Sequence, residues 1–182
     1  MTQGSTQLEF KQAWSFPEKV EKRIISFINK HPGKWLHAPV GISKIGKEQT
    51  LDKSKTTITT FDRDEKLKPD IVGDIFKLPQ YFKKEFDGVI SDPIWYFDLM
   101  CQKCGNIVEK NKGLAYPMRR YLGYSVRDVL KPGGYWIFNG LWLPKTKGMK
   151  ILEPIDIPAQ KYASFRNVSL IVYSQKVNSV IV

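Results

Sequence analysis

Five short apolar or β-branched segments punctuate this chain, and four of them run directly into a glycine loop or an aspartate. Trp35 to Pro39 leads into the loop Gly41 to Gly46. Thr56 to Phe61 ends at Asp62, Asp70 to Asp74 ends on an acid of its own, and Phe86 to Ser91 ends at Asp92-Pro93. The fifth segment, Tyr135 to Leu143, follows Lys131-Pro132-Gly133-Gly134, which reads as a tight turn. Runs this short, bounded by turn residues, read as strands. The stretches between them leave room for helices or long connections. That pattern predicts an α/β domain around a largely parallel sheet. In such sheets ligands bind outside the carboxyl ends of the strands. The glycine loop and the aspartates all fall there.

Helical spacing appears twice. Val20, Ile24, Phe27 and Ile28 recur on one face of a helix over Pro17 to Lys30, with Ser15 as cap, Pro17 in the first turn and His31-Pro32-Gly33 as its stop. A second helical region covers much of Phe97 to Leu130, broken near Cys104-Gly105 and Pro117. There Tyr121, Leu122, Ser125, Val126, Val129 and Leu130 share a face. Two further strands, near Lys150 to Ile157 and Asn167 to Gln175, complete the order. The 182 residues fit one domain, with residues 1–15 expected to be a flexible or loosely packed lead segment.

Charge narrows the partners. Lys and Arg number 29 against 18 for Asp and Glu, a formal +11. A surplus of that size favours polyanions through counterion release and steering. No apolar run approaches the roughly 20 residues of a membrane span, and no membrane partner is expected. A signal-peptide pattern is missing at the N-terminus, so the expected location is the cytoplasm. Cys101-Gln102-Lys103-Cys104 has the spacing of half a zinc site. Zinc wants four ligands, these are the only two cysteines, and His31 and His37 are the only histidines, so no metal is expected. A site shared across a dimer, a redox pair and two free thiols stay as alternatives.

The residues after the fourth strand, Ser91-Asp92-Pro93-Ile94-Trp95-Tyr96, carry the chemistry. An aspartate side chain and a neighbouring carbonyl can both accept hydrogen bonds from an NH2 group and turn its lone pair toward an electrophile. An adjacent aromatic ring can stack on the base that bears the amine. A base within a duplex must first be flipped out. This segment resembles the catalytic tetrapeptide of the amino-methyltransferases that act on adenine or cytosine, in which Asp, Asn or Ser precedes two prolines and an aromatic residue. Ile94 stands where the second proline is usual.

The wider order resembles that of the class I methyltransferases, over roughly Lys34 to Leu143. The resemblance implies a seven-stranded, Rossmann-like fold and S-adenosylmethionine as cofactor. It also implies residue roles. Pro39, Gly41, Ser43 and Gly46 would wrap the methionine part of the cofactor. Asp62, with Asp64 as competitor, would bind the ribose hydroxyls, and Asp74 with Ile75 would lie near the adenine. Asp92, Pro93, Trp95 and Tyr96 would form the catalytic set. The first loop departs from the usual Gly-x-Gly-x-Gly, keeping only Gly41 and Gly46.

The expected substrate is an exocyclic amine on a DNA or RNA base, with adenine favoured by Asp-Pro-x-Trp. Lys103, Lys110, Lys112, Arg119, Arg120 and Arg127, interleaved with Tyr116, Tyr121 and Tyr124, would border the active-site face. Lys44, Lys47, Lys53 and Lys55 form a second basic stretch. Target recognition would come from short loops, or from a homodimer or partner subunit. Two rivals remain open: a protein N-methyltransferase of the glutamine type, against which Asp92 speaks, and a non-catalytic relative that binds nucleic acid or a partner.

Overall fold

The computed structural model describes residues 16, 18–41, 43, 45, 50–92, 116–140, 145–158 and 168–177. Seven strands form one sheet: β1 (Lys34–His37), β2 (Thr57–Asp62), β3 (Ile71–Val72), β4 (Phe86–Ser91), β5 (Leu130–Gly140), β6 (Met149–Pro158) and β7 (Val168–Lys176). Their spatial order is β3-β2-β1-β4-β5-β7-β6. The pairs β1–β2, β1–β4, β2–β3 and β4–β5 are parallel, while β7 runs antiparallel to both β5 and β6. The order reverses between β1 and β4, the switch point at which such sheets open a crevice.

Helices cover both faces. α1 (Glu18–Lys30) packs Val20, Ile24, Ile25 and Ile28 with Trp35, Ile90, Ile137 and Tyr173. On the other face α3 (Tyr116–Val129) and the single turn α2 (Leu78–Tyr81) close over Leu36, Phe61, Val89, Trp136 and Phe138. Strand β1 explains its own position. Trp35, Leu36 and His37 are all buried, on alternating sides, as a central strand covered on both faces requires. Among the described residues no helix is long and apolar enough to cross a membrane.

Two features differ from the expected pattern. Lys131-Pro132-Gly133-Gly134 does not precede β5 but lies within it. Phe86 pairs with Leu130, and the next pair is Gly88 with Tyr135, so the extra residues bulge out between two paired positions. Gly133 takes a φ of +78°, which suits such a bulge. Tyr121 does not share the buried face of α3: it is 59% exposed, while Leu122, Ser125, Val126 and Val129 are buried. The buried stripe is centred on positions 122, 126 and 129, and position 121 falls outside it. The second helical region is described from Tyr116 onward only.

At the amino ends of the strands Asp87 ties three segments. It accepts hydrogen bonds from the Lys34 backbone N–H (2.8 Å) and from the Lys131 ammonium (2.8 and 2.9 Å). Burial works against its ionised form, but the Lys131 ammonium and the Lys34 N–H outweigh that and hold its pKa below the usual value.

Gly88 has no room for a side chain. A Cβ there would overlap the six-membered ring of Trp35, which is fully buried and cannot retreat. Gly88→Ala is expected to lower stability by about 2 kcal/mol or more, read as an earlier urea midpoint at unchanged slope. A midpoint equal to that of the wild type would show that Trp35 has space to yield.

Candidate active site

The carboxyl ends of the parallel strands are joined by backbone bonds before any side chain is considered. Past β1, Ala38 donates its N–H to the Ile90 carbonyl on β4 (2.9 Å), and Val40 donates to the Phe61 carbonyl on β2 (3.0 Å). The chain therefore leaves the sheet while still held on both sides. Gly41 follows with φ +54°, a left-handed conformation that glycine adopts without steric cost. Its N–H donates to Oδ2 of Asp62 at 3.0 Å. The other Asp62 oxygen accepts the N–H of Asp64, also at 3.0 Å. Asp62 is only 6% exposed, so this carboxylate joins the first loop to the turn after β2.

Asp64, two residues on, is exposed, and one of its oxygens accepts the Lys66 N–H as the cap of a short 3-10 turn. Gly73 donates its N–H to the Asp62 carbonyl (2.8 Å), which brings the end of β3 to the same rim. Asp74 is half-buried and caps the 3-10 turn Ile75–Lys77 by accepting the Phe76 N–H (3.0 Å). That turn is anchored from beneath by Ser125 on α3. The Ser125 hydroxyl donates to the Ile75 carbonyl (2.7 Å) and accepts the Leu78 N–H (3.1 Å). Ser43 is tied to α1, its hydroxyl donating to Glu21 (3.3 Å) and accepting the Ile45 N–H (3.3 Å).

Beside the switch point, β4 and β5 are fastened by two side-chain bonds. The Trp136 indole N–H donates to the Ser91 hydroxyl (2.7 Å). One position further on, the Asn139 amide donates to Oδ1 of Asp92 (3.0 Å). Asn139 is 6% exposed and closes the apolar run Tyr135 to Phe138 of β5. Sequence reasoning passed over it. The signal was present, since a buried amide closing an apolar run needs a polar partner.

Of the residues expected at the site, Pro39, Gly41, Ser43, Asp62, Asp64, Asp74, Ile75 and Asp92 follow the ends of β1 to β4, on one edge of the sheet. Gly46, Pro93, Trp95 and Tyr96 lie outside the described residues, as do Cys101 and Cys104. Among the described residues no three His, Cys, Asp or Glu side chains gather as metal ligands would. The described residues also form open concavities. One lies between α1 and Thr50, another beside His31, Asp87 and Gly133 at the amino ends.

His37 ends β1 directly below the loop. It is 1% exposed, lies near-parallel to the Phe16 ring at 5.9 Å, and neither ring nitrogen has a hydrogen-bond partner among the described residues. Burial pushes its pKa down from 6.5 to about 3, so the ring is neutral near pH 7.

No protein-family model matches the sequence, and no curated protein matches it significantly. Solved structures do. TrmN from Thermus thermophilus superposes with a TM-score of 0.59 at 14% identity, covering 87% of this chain and 48% of that one. This chain thus spans about half the length of the Thermus protein. A TehB-like SAM-dependent methyltransferase from Corynebacterium glutamicum gives 0.53 at 17% identity, covering 86% of this chain and 87% of that one. The 1,6-didemethyltoxoflavin-N1-methyltransferase of Burkholderia thailandensis, solved with bound 1,6-didemethyltoxoflavin and S-adenosylhomocysteine, gives 0.55 at 10% identity, covering 88% of this chain and 78% of that one. The chain has the Rossmann-like methyltransferase fold. The acidic row sits on the edge where parallel sheets of this class take their ligands.

The buried His37 makes folding sensitive to acid. The unfolded chain takes up a proton near pH 6.5, the folded chain only near pH 3. The unfolded state therefore binds more protons in that window, and stability present above pH 6.5 is lost progressively as the pH falls through it. Replacing His37 by Leu is expected to flatten the fall in thermal midpoint between about pH 7 and about pH 4, at little cost near neutrality. An equally steep fall in the variant would place the acid sensitivity elsewhere.

Proposed function

We propose that this protein is an S-adenosylmethionine-dependent methyltransferase that modifies an exocyclic amine of a DNA or RNA base, adenine being favoured. The observation that carries the reading is the alignment of Asp62, Asp64, Asp74 and Asp92 along the carboxyl edge of one parallel sheet. Acceptors of that kind suit a cofactor rich in hydroxyl and amino groups. They stand in a chain that is otherwise strongly basic.

The residues present fit the cofactor. Gly41 offers a close, left-handed backbone approach, and Asp62 fixes it there. Asp64 is the accessible acid beside Asp62 and would take the ribose hydroxyls, while Asp62 holds the loop. Asp74 with Ile75 would meet the adenine. Pro39, Ser43 and Gly46 would line the methionine end. When bound, the cofactor supplies an electrophilic methyl group on a sulfonium, so the protein's task is alignment more than proton transfer.

Asp92 performs that alignment at the substrate. Its carboxylate would accept a hydrogen bond from the amine and aim the lone pair, and Asn139 fixes the plane of the carboxylate from behind. Pro93, Trp95 and Tyr96 would complete this set, the aromatic rings serving as stacking surface for the base. The +11 charge supports a polyanionic substrate.

The test is methyl transfer from radiolabelled S-adenosylmethionine to separate pools of DNA, RNA and cell protein. Label is expected in one nucleic-acid pool. Asp92→Ala should lose at least about a hundredfold in kcat with cofactor affinity nearly unchanged. Asn139→Ala should lose roughly tenfold, because the carboxylate is kept but no longer oriented. Label confined to protein would overturn the nucleic-acid assignment. Equal loss of cofactor binding and turnover in Asp92→Ala would make that aspartate structural.

A further inference from the structure

The outer surface of α3 joins the turn at 145–148 in one cationic patch. Gly123 makes the junction: the Thr146 hydroxyl occupies the space that a Cβ on residue 123 would need. Arg127 locks it, donating through Nη1 to the Lys147 carbonyl (3.1 Å) while Asp128 pairs with its other face (2.7 Å). Arg127 is therefore neutralised and acts as scaffold, with its guanidinium 4.7 Å from the centre of the Tyr124 ring. Arg120 reaches the same ring from the preceding turn and donates to its hydroxyl at 3.2 Å.

What remains is unbalanced charge. Arg120, Lys145 and Lys147 are exposed, and none has a carboxylate partner among the described residues. Beside them Tyr121, three residues from Tyr124 and so on the same side of the helix, presents a 59% exposed ring. The phenol of Tyr124 is held below its usual pKa, first by the Arg120 hydrogen bond and then by the charges of Arg120, Arg127 and Lys147. A phenol is no counterion near pH 7, so these cations share a small area without an anion of their own.

We propose that this surface binds single-stranded nucleic acid, with phosphates on Arg120, Lys145 and Lys147 and a base stacked on Tyr121. The proposal rests on the reading that the substrate is nucleic acid and adds where the strand runs. Cations interleaved with an exposed aromatic ring fit a strand whose bases are open to stacking. α3 ends where β5 begins, so its first residue lies at the catalytic edge and Tyr124 about 12 Å further along the axis. The patch would thus hold nucleotides flanking the target, not the target base.

Fluorescence anisotropy with a labelled single strand of about 12 nucleotides tests this. Arg120→Ala/Lys147→Ala should weaken binding about tenfold at low salt and reduce the slope of log K against log salt by about 1.4, two single-strand phosphate contacts. Tyr121→Ala should weaken binding to the single strand and leave duplex binding nearly unchanged. The control is Lys30→Ala/Lys66→Ala, which removes the same charge at exposed positions elsewhere and should do much less. Thermal melts confirm that each variant is folded. A double variant with the wild-type slope, or no weaker than the control, would remove this site and leave the nucleic-acid assignment standing. Tighter binding to duplex than to single strand would overturn the single-strand assignment. A wild-type protein that binds no nucleic acid at low salt would remove both the site and the substrate reading.

Discussion

Ala38 and Val40 donate their backbone N–H groups in opposite directions, one to β4 and the other to β2, and the candidate site is arranged around that split. A parallel strand that stopped cleanly would leave its loop free. Here the chain stays bonded to both neighbours for three residues past β1 and then turns at Gly41. Asp62 accepts the Gly41 N–H, and the Asp62 carbonyl accepts the Gly73 N–H. Three strand ends are thereby tied into one rim with little contribution from long side chains. A rim held by backbone bonds is rigid, and rigidity is what a reaction that depends on alignment needs.

Much of this was legible in the sequence. The strand Phe86–Ser91 has the expected bounds because an apolar run meets Asp92-Pro93, and proline cannot continue a central strand. The acids after β2, β3 and β4 were legible for the same reason, as polar residues that close apolar segments. The Lys131-Pro132-Gly133-Gly134 segment was misplaced, because Leu130 pairs with Phe86 before the glycines and no local pattern announces that long-range contact. Helical spacing groups Tyr121 on one face with Leu122 and Val126, because an aromatic residue beside a helical stripe looks like part of it, yet it is exposed. The sequence showed which acids end strands, but not that Asp62 would be spent on backbone N–H groups while Asp64 stays exposed.

Electrostatics divides the molecule. The basic excess lies partly on the outer side of α3 and the 145–148 turn, whereas the described rim is acidic. A polyanion drawn to the first surface would meet carboxylates at the second, which suit hydroxyl and amino groups and repel phosphates. Under the proposed function, that separation would let the protein grip a backbone in one place and work on a base in another.

The acidic rim is proposed to bind the cofactor. Amide chemical-shift mapping by NMR during titration with S-adenosylhomocysteine addresses it without requiring the substrate. Saturable shifts concentrated at Gly41, at residues 62–64 and at Asp74 and Ile75 are the predicted result. Saturable shifts centred on the concavity between α1 and Thr50, or no shifts from a folded protein, would contradict it.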